Sequence, residues 1–270
     1  VHRLLRIPLS GLAFILFYGG AAVIAWILLP IVRFRARRLS AAQQRETIDR
    51  FMMGCYRRSL QLMAGLGLMR YSPVTLDLDE LPPPPWVIVA NHPTLIDVLF
   101  IKAALPGVVV LVKAALFRAP SLRRLFEASG DFKGPERSGQ SFGETSVLDI
   151  FVERLEAGRS VLVFPEGTRS PAWRLRRFRR GAAEAAIRAG VPIVPFFILA
   201  DPPTMKKGDK WYDMPERVPV FDVQQLPAID TTGRESRELT AELRDMLAER
   251  LEEARIASVE RSRREAERSR

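Results

Sequence analysis

His92 stands five positions before Asp97 in the segment Asn91-His92-Pro93-Thr94-Leu95-Ile96-Asp97, and it is one of only two histidines in the chain. An imidazole backed by a carboxylate is the arrangement of a general base. The carboxylate fixes the tautomer and steadies the imidazolium while the other ring nitrogen removes a proton. Inside one helix, five residues at about 100° each would set the two side chains about 140° apart, too far round to meet. The pair therefore works only if His92 precedes the helix. The sequence allows this: an apolar run ends at Ala90, Asn91 and His92 form the turn, and Pro93 takes the first helical position, where its missing N–H costs little. Asp97 then lies about one turn in and reaches back to the ring.

A second segment, Phe164-Pro165-Glu166-Gly167-Thr168-Arg169-Ser170, follows the hydrophobic run Val161-Leu162-Val163-Phe164, so its polar groups belong at the end of a strand. Arg169 suits a two-pronged contact with a phosphate, Thr168 and backbone N–H groups add donors, Gly167 lets the backbone approach a ligand, and Glu166 shapes the loop. Read alone, the tetrapeptide is equally a surface turn with a salt bridge, and a lone histidine is more often structural than catalytic. The two segments together describe a base beside an anion grip.

These residues need a scaffold, and the chain alternates accordingly. Strands are expected over residues 74–78, 87–90, 108–112, 161–164 and 193–199, and helices over 93–104, 121–128, 145–156 and 182–189. The alternation predicts an α/β domain over about 71–230, with a largely parallel central sheet flanked by helices. Ligands in such sheets bind beyond the carboxyl ends of the strands, where both segments fall. Lys113, at the end of the third strand, is a candidate substrate contact or a plain strand-end lysine. Residues 231–270, dense in Arg and Glu with a leucine stripe, predict a charged C-terminal helix to which no chemistry is assigned.

Residues 1–70 are different in kind. From Ile7 to Val32 no residue is charged, and the run exceeds the ~20 residues that cross a bilayer core. It is too long for the apolar core of a signal peptide. Arg33, Arg35, Arg37 and Arg38 follow it against Arg3 and Arg6 before it, which places the downstream domain on the cytoplasmic side. A second, amphipathic helix is expected over about 40–69, equally an interfacial helix packing on the first or an ordinary amphipathic core helix. The pair reads as a membrane anchor, either spanning or re-entrant; Gly19-Gly20 and Pro30 both permit a bend.

The formal charge of +10, from 41 Lys+Arg against 31 Asp+Glu, favours anionic partners. The arginine cluster from Arg174 to Arg180, interleaved with Trp173 and Phe178, suits lipid headgroups or an acidic carrier protein beside such an anchor, rather than nucleic acid. One cysteine, Cys55, excludes an internal disulfide, and with two histidines no metal site is expected.

The two segments resemble the signature blocks of the PlsC-type glycerolipid acyltransferases: His-x4-Asp at 92 to 97 and Phe-Pro-Glu-Gly-Thr-Arg at 164 to 169. Phe178 to Ala182 and Val191 to Pro195 are similar to further family blocks, and the likeness covers about residues 75 to 200. The resemblance implies that His92 activates an acceptor hydroxyl, supported by Asp97, and that Glu166, Gly167, Thr168 and Arg169 bind the acceptor. It implies a lysophospholipid such as lysophosphatidic acid as acceptor and acyl-CoA or acyl carrier protein as donor, with no further cofactor. The setting it implies is the bacterial inner membrane, catalytic domain on the cytoplasmic face. Asn91 and Arg137 join Lys113 as candidate substrate contacts. The chain departs from the pattern at Ser129 to Arg137, where no Asp-Arg pair stands at the family spacing; Arg137 or Lys133 is the substitute. Residues 94–97 and 206–212 look closer to relatives from bacterial aryl-polyene or specialised lipid pathways. A lipid or thioester hydrolase, or a non-catalytic membrane-surface adaptor, are the alternatives that this pattern leaves.

Overall fold

The structure, a computed structural model, describes residues 3–74, 76–77, 81–134, 146–210 and 212–268. Arg137 and part of the strand expected over 74–78 lie outside them. Helices α1 (Arg3–Val23) and α2 (Leu29–Ala36) are joined by one π-helical turn, Ile24–Leu28, and α3 (Ala41–Gly65) follows. The departure from α-helical geometry falls at that turn rather than at Gly19-Gly20. Pro30 has no N–H to give, and Leu29 donates five residues back to the Ile24 carbonyl, the π register. Ser40 caps α3 reciprocally with Gln43.

After these helices come β1 (Arg70–Tyr71), β2 (Val87–Ala90), α4 (Asp97–Ala104), β3 (Val109–Val112), α5 (Pro120–Ser129), β4 (Phe132–Lys133), α6 (Val147–Glu156), β5 (Val161–Val163), α7 (Gly181–Ala189), β6 (Ile193–Asp201), β7 (Val220–Gln225) and α8 (Ser236–Arg268). The described strands form one sheet in the order β1-β7-β6-β2-β5-β3-β4. It is parallel except where β7 turns back against β6. The α/β class expected from the alternation is the one observed.

Two expectations are corrected. The first strand is Arg70–Tyr71, upstream of the residues expected; Pro73 has no N–H for a ladder, and the described residues just after it are not paired. The helix expected from Pro93 begins at Asp97. Thr94 donates its N–H to Asp97 Oδ2 at 2.8 Å and its hydroxyl to Oδ1, so residues 91–96 form a bent loop closed by the aspartate.

Alternating strand residues feed two cores. One joins Ile88, Ala90, Val110 and Phe196 to α3 and α4; the other joins Val87, Val89, Val161 and Phe197 to α6, α7 and the Leu239, Leu243 and Leu247 stripe of α8. Helix α3 therefore lies on the α4 side of the sheet, and α8 on the opposite side.

Leu5–Ala36 is a 32-residue helix of mean hydropathy 2.4 across its most apolar stretch, about 48 Å long. It does not project from the domain. Arg6 is fully buried, its guanidinium donating to the carbonyls of Pro215 and Arg217 at 2.8 and 3.2 Å and to that of Glu216. Farther along, the Trp26 indole donates to Ser121 at 3.0 Å and carries the Arg124 guanidinium over its ring. Ser10, Ala13, Ala21, Ala25 and Leu29 are buried along this helix, while Ile15, Phe17, Ile27, Ile31 and Phe34 stand exposed.

Candidate active site

β2 delivers His92. The strand pairs with β6 up to Ala90 opposite Phe196, and the Asn91 side chain then prolongs the ladder: its Nδ2 donates to the Ile198 carbonyl at 2.8 Å, and its Oδ1 accepts the Ile198 N–H at 2.7 Å. Asn91 is 3 % exposed. Its amide is occupied by this clamp, which holds the turn to the sheet.

The imidazole that follows is held on three sides. Nδ1 lies 2.7 Å from Asp97 Oδ2. The ring stacks on Phe164 with centroids 4.2 Å apart. The His92 N–H donates to Glu166 Oε1 at 2.9 Å, and its carbonyl accepts the Ser170 N–H at 2.8 Å. Asp97 is fully buried at the first position of α4, where the helix dipole favours a negative charge, and it also holds the N–H and hydroxyl of Thr94. A carboxylate so placed accepts a hydrogen bond from Nδ1–H, which leaves the lone pair on Nε2. The side chain of His92 keeps 21 % exposure, enough to meet a substrate.

The loop 166–169 is brought alongside, but its residues divide. Glu166 is buried and turned inward, accepting from His92 and, through Oε2, from the Arg176 N–H at 3.0 Å. Gly167 is exposed with φ +69°, a left-handed conformation that favours glycine, and the Arg179 guanidinium lies 3.2 Å from where a Cβ would stand. Thr168 is half-buried beside it. Arg169 spends Nη1 on the carbonyls of Met205 and Lys206 at 2.7 and 2.8 Å, so it ties the loop to the segment after β6. Lys113 is exposed directly after β3, two strands from His92 with Phe164 of the intervening strand between them.

Sequence reasoning did not find Thr94, Phe164, Ser170 or Arg176 as supports of the dyad. Only Thr94 had a readable signal, since Thr94-x-x-Asp97 is the spacing of a capping box. Burial raises the Glu166 carboxyl above its ordinary pKa, against the two backbone N–H groups and His92 that favour its charge. The folded chain therefore holds this proton to higher pH than the unfolded one, a stabilisation present at low pH and lost as pH rises through the folded value. Glu166→Gln removes that slope and is expected to lose less stability relative to wild type at pH 8 than at pH 5, read by thermal unfolding. It also turns an NH2 toward one of the two N–H groups, and the displaced turn should lower kcat by about 10²-fold. Unchanged kcat would show that Glu166 does not set the position of His92.

A buried strand thus ends in a supported His-Asp turn, with a Glu-Gly-Thr-Arg loop across it. Residues 74–199 match the model of the Acyltransferase family. The chain is 30 % identical over 154 residues to 1-acyl-sn-glycerol-3-phosphate acyltransferase alpha of Mus musculus, covering 56 % of this chain and 52 % of that one. It is 25 % identical over 209 residues to the chloroplastic 1-acyl-sn-glycerol-3-phosphate acyltransferase BAT2 of Brassica napus, covering 75 % and 56 %. The chain thus spans about half the length of the curated relatives it matches. Its fold superposes on the crystal structure of the 1-acyl-sn-glycerophosphate acyltransferase PlsC from Thermotoga maritima with a TM-score of 0.76 at 21 % identity, covering 94 % of this chain and 98 % of that one.

Proposed function

We propose that this chain transfers an acyl group from a thioester donor, acyl-CoA or acyl carrier protein, to the free hydroxyl of a lysophospholipid, with lysophosphatidic acid the leading acceptor. The observation that carries the reading is the His92–Asp97 contact of 2.7 Å on a turn that Asn91, Glu166 and Ser170 hold rigidly. His92 Nε2 takes the hydroxyl proton as the acceptor oxygen attacks the thioester carbonyl. The carbon–sulfur bond breaks, and the imidazolium returns the proton to the departing thiolate. Asp97 stabilises the imidazolium without taking its proton. Lys113, Thr168 and the open backbone at Gly167 form the side from which an acceptor headgroup is held, and Arg169 fixes the loop that carries Thr168 and Gly167.

The anchor fits a lipid acceptor. A helix pinned to the domain near both ends, with its exposed apolar face along one side, suits immersion in a single leaflet better than crossing the bilayer. Arg33, Arg35, Arg37 and Arg38 then meet anionic headgroups, and the domain lies on the cytoplasmic face of the inner membrane. The test is product analysis: the purified chain receives a labelled acyl thioester with and without lysophosphatidic acid and a panel of other hydroxyl acceptors, and products are read by mass spectrometry. Acceptor-dependent diacyl product is expected. Release of free fatty acid without need of an acceptor would make the protein a hydrolase, and no turnover of any donor would remove the enzymatic reading.

A further inference from the structure

Lysophospholipids differ in headgroup charge, and the arginine expected from the sequence to meet a phosphate is engaged elsewhere. Arg169 gives Nη1 to the carbonyls of Met205 and Lys206, which makes it a tie for the loop. Lys133, expected as a substitute, sits on β4 at the sheet's edge, with β3 between it and β5, the strand that delivers the loop. A phosphate held beside His92 needs a cation closer to residues 166–169.

The segment that follows the loop supplies one. Arg176 donates its N–H to Glu166 Oε2 at 3.0 Å, and Arg179 donates its N–H to the Pro165 carbonyl at 2.9 Å, so residues 176–179 run alongside 165–166. This lays the Arg179 guanidinium over Gly167: its Cζ, Nε and Nη2 lie 3.2, 3.3 and 3.5 Å from where a Cβ would stand. Arg179 is exposed, and its guanidinium has no hydrogen-bond or ion-pair partner among the described residues. Glu166, the residue before Gly167, accepts the His92 N–H at 2.9 Å. A free donor fork and the base thus flank a stretch of two residues, at most about 7 Å long, which a glycerol unit spans between its hydroxyl and its phosphate.

The surroundings add selection by charge. Arg174, Arg176, Arg177 and Arg180 stand exposed on the same segment, and none of the four has a carboxylate partner for its guanidinium among the described residues. A phosphomonoester carries about −1.5 to −2 charges near pH 7, whereas a choline or ethanolamine headgroup brings a cation against this field. We propose that Arg179, lying over Gly167, grips the acceptor's phosphate and makes the site select a phosphomonoester headgroup over a zwitterionic one. This assignment rests on the acyl-transfer reading and names the headgroup class that the acceptor carries.

The test uses the full chain in lipid nanodiscs and three variants: Arg179→Gln, Arg179→Lys, and Arg180→Gln as a neighbouring exposed arginine. Turnover is followed with lysophosphatidic acid, lysophosphatidylcholine and monoacylglycerol as acceptors, and binding of the two lysophospholipids is read by calorimetry with no donor present. Arg179→Gln is expected to raise the Kd and KM of lysophosphatidic acid by about tenfold and to leave kcat/KM for monoacylglycerol within about twofold of wild type. Arg179→Lys should recover part of the loss, and Arg180→Gln should resemble wild type. A role confined to packing the loop would instead lower kcat on every acceptor alike. Unchanged Kd and KM in Arg179→Gln, an equal loss on monoacylglycerol, or the same loss in Arg180→Gln would overturn the grip while leaving acyl transfer standing. So would a wild type that binds and uses lysophosphatidylcholine as well as lysophosphatidic acid. A wild type that binds lysophosphatidic acid, loses it in Arg179→Gln and yet transfers no acyl group would uphold the site and remove the acyltransferase reading, and one that neither binds nor acylates it would overturn both.

Discussion

Replacing His92 by alanine is expected to lower kcat for acyl transfer by about 10³-fold, with the fold intact and the KM of either substrate little changed. The expectation follows from the proton inventory of the turn. Asp97 is buried and already accepts from Nδ1 and from both donors of Thr94, Glu166 is occupied by two backbone N–H groups, and Arg169 cannot serve as a base. His92 Nε2 is left as the group that can take a hydroxyl proton. Asp97→Asn should cost about as much by a different route. An amide that donates to Nδ1 would move the ring proton to Nε2, the tautomer that cannot act as base. Adding imidazole to a His92→Gly variant should restore part of the rate, whereas it should do nothing for Asp97→Asn. If His92→Ala kept its rate within about tenfold of wild type, the base would lie elsewhere and the proposed mechanism would fail.

The His92–Asp97 contact was legible because its logic is local. A buried apolar strand, a turn and a His-Asp spacing that fails inside a helix leave one arrangement, and the structure has it. The helix start was misplaced by four residues because Pro93 is a strong N1 signal, whereas Asp97 closes the loop by capturing Thr94. What binds the site together from a distance was not legible. Arg169 and Arg6 both spend their guanidinium groups on backbone carbonyls, and Asn91 does the same at Ile198; a carbonyl has no sequence signature. β7 was missed for a related reason. Val220-Phe221-Asp222-Val223-Gln224-Gln225 buries little more than Phe221 and Val223 and exists as a strand because β6 is long enough to pair with it.

The same α4 that begins at Asp97 carries, at its other end, the interaction whose loss should most reduce stability. Lys102 Nζ lies 2.6 Å from both oxygens of Asp131, with the two side chains 5 % and 1 % exposed, and the Val110 N–H donates to the same carboxylate at 2.9 Å. Burial pulls the Lys102 pKa down, but Asp131 and Tyr56 more than restore it, so the ammonium ends above its ordinary value. Around the pair, Tyr56 of α3 meets Ser129 at 3.2 Å, and Arg159 joins the Ser129 carbonyl to Asp49 of α3. Lys102→Met keeps most of the volume and strands the carboxylate, which should cost about 3–5 kcal/mol and lower the melting temperature by roughly 10 °C. An unpaired buried Asp131 takes up its proton at raised pH, so the deficit should shrink as pH falls through that value. Lys102→Met/Asp131→Asn removes both charges while keeping an acceptor for the Val110 N–H, and it should recover most of the loss. Melting curves of the three proteins at pH 5 and pH 8 decide the matter. A single variant within about 1 kcal/mol of wild type at pH 8, or a double variant no better than the single, would mean that this pair does not hold α4 and α3 to the sheet.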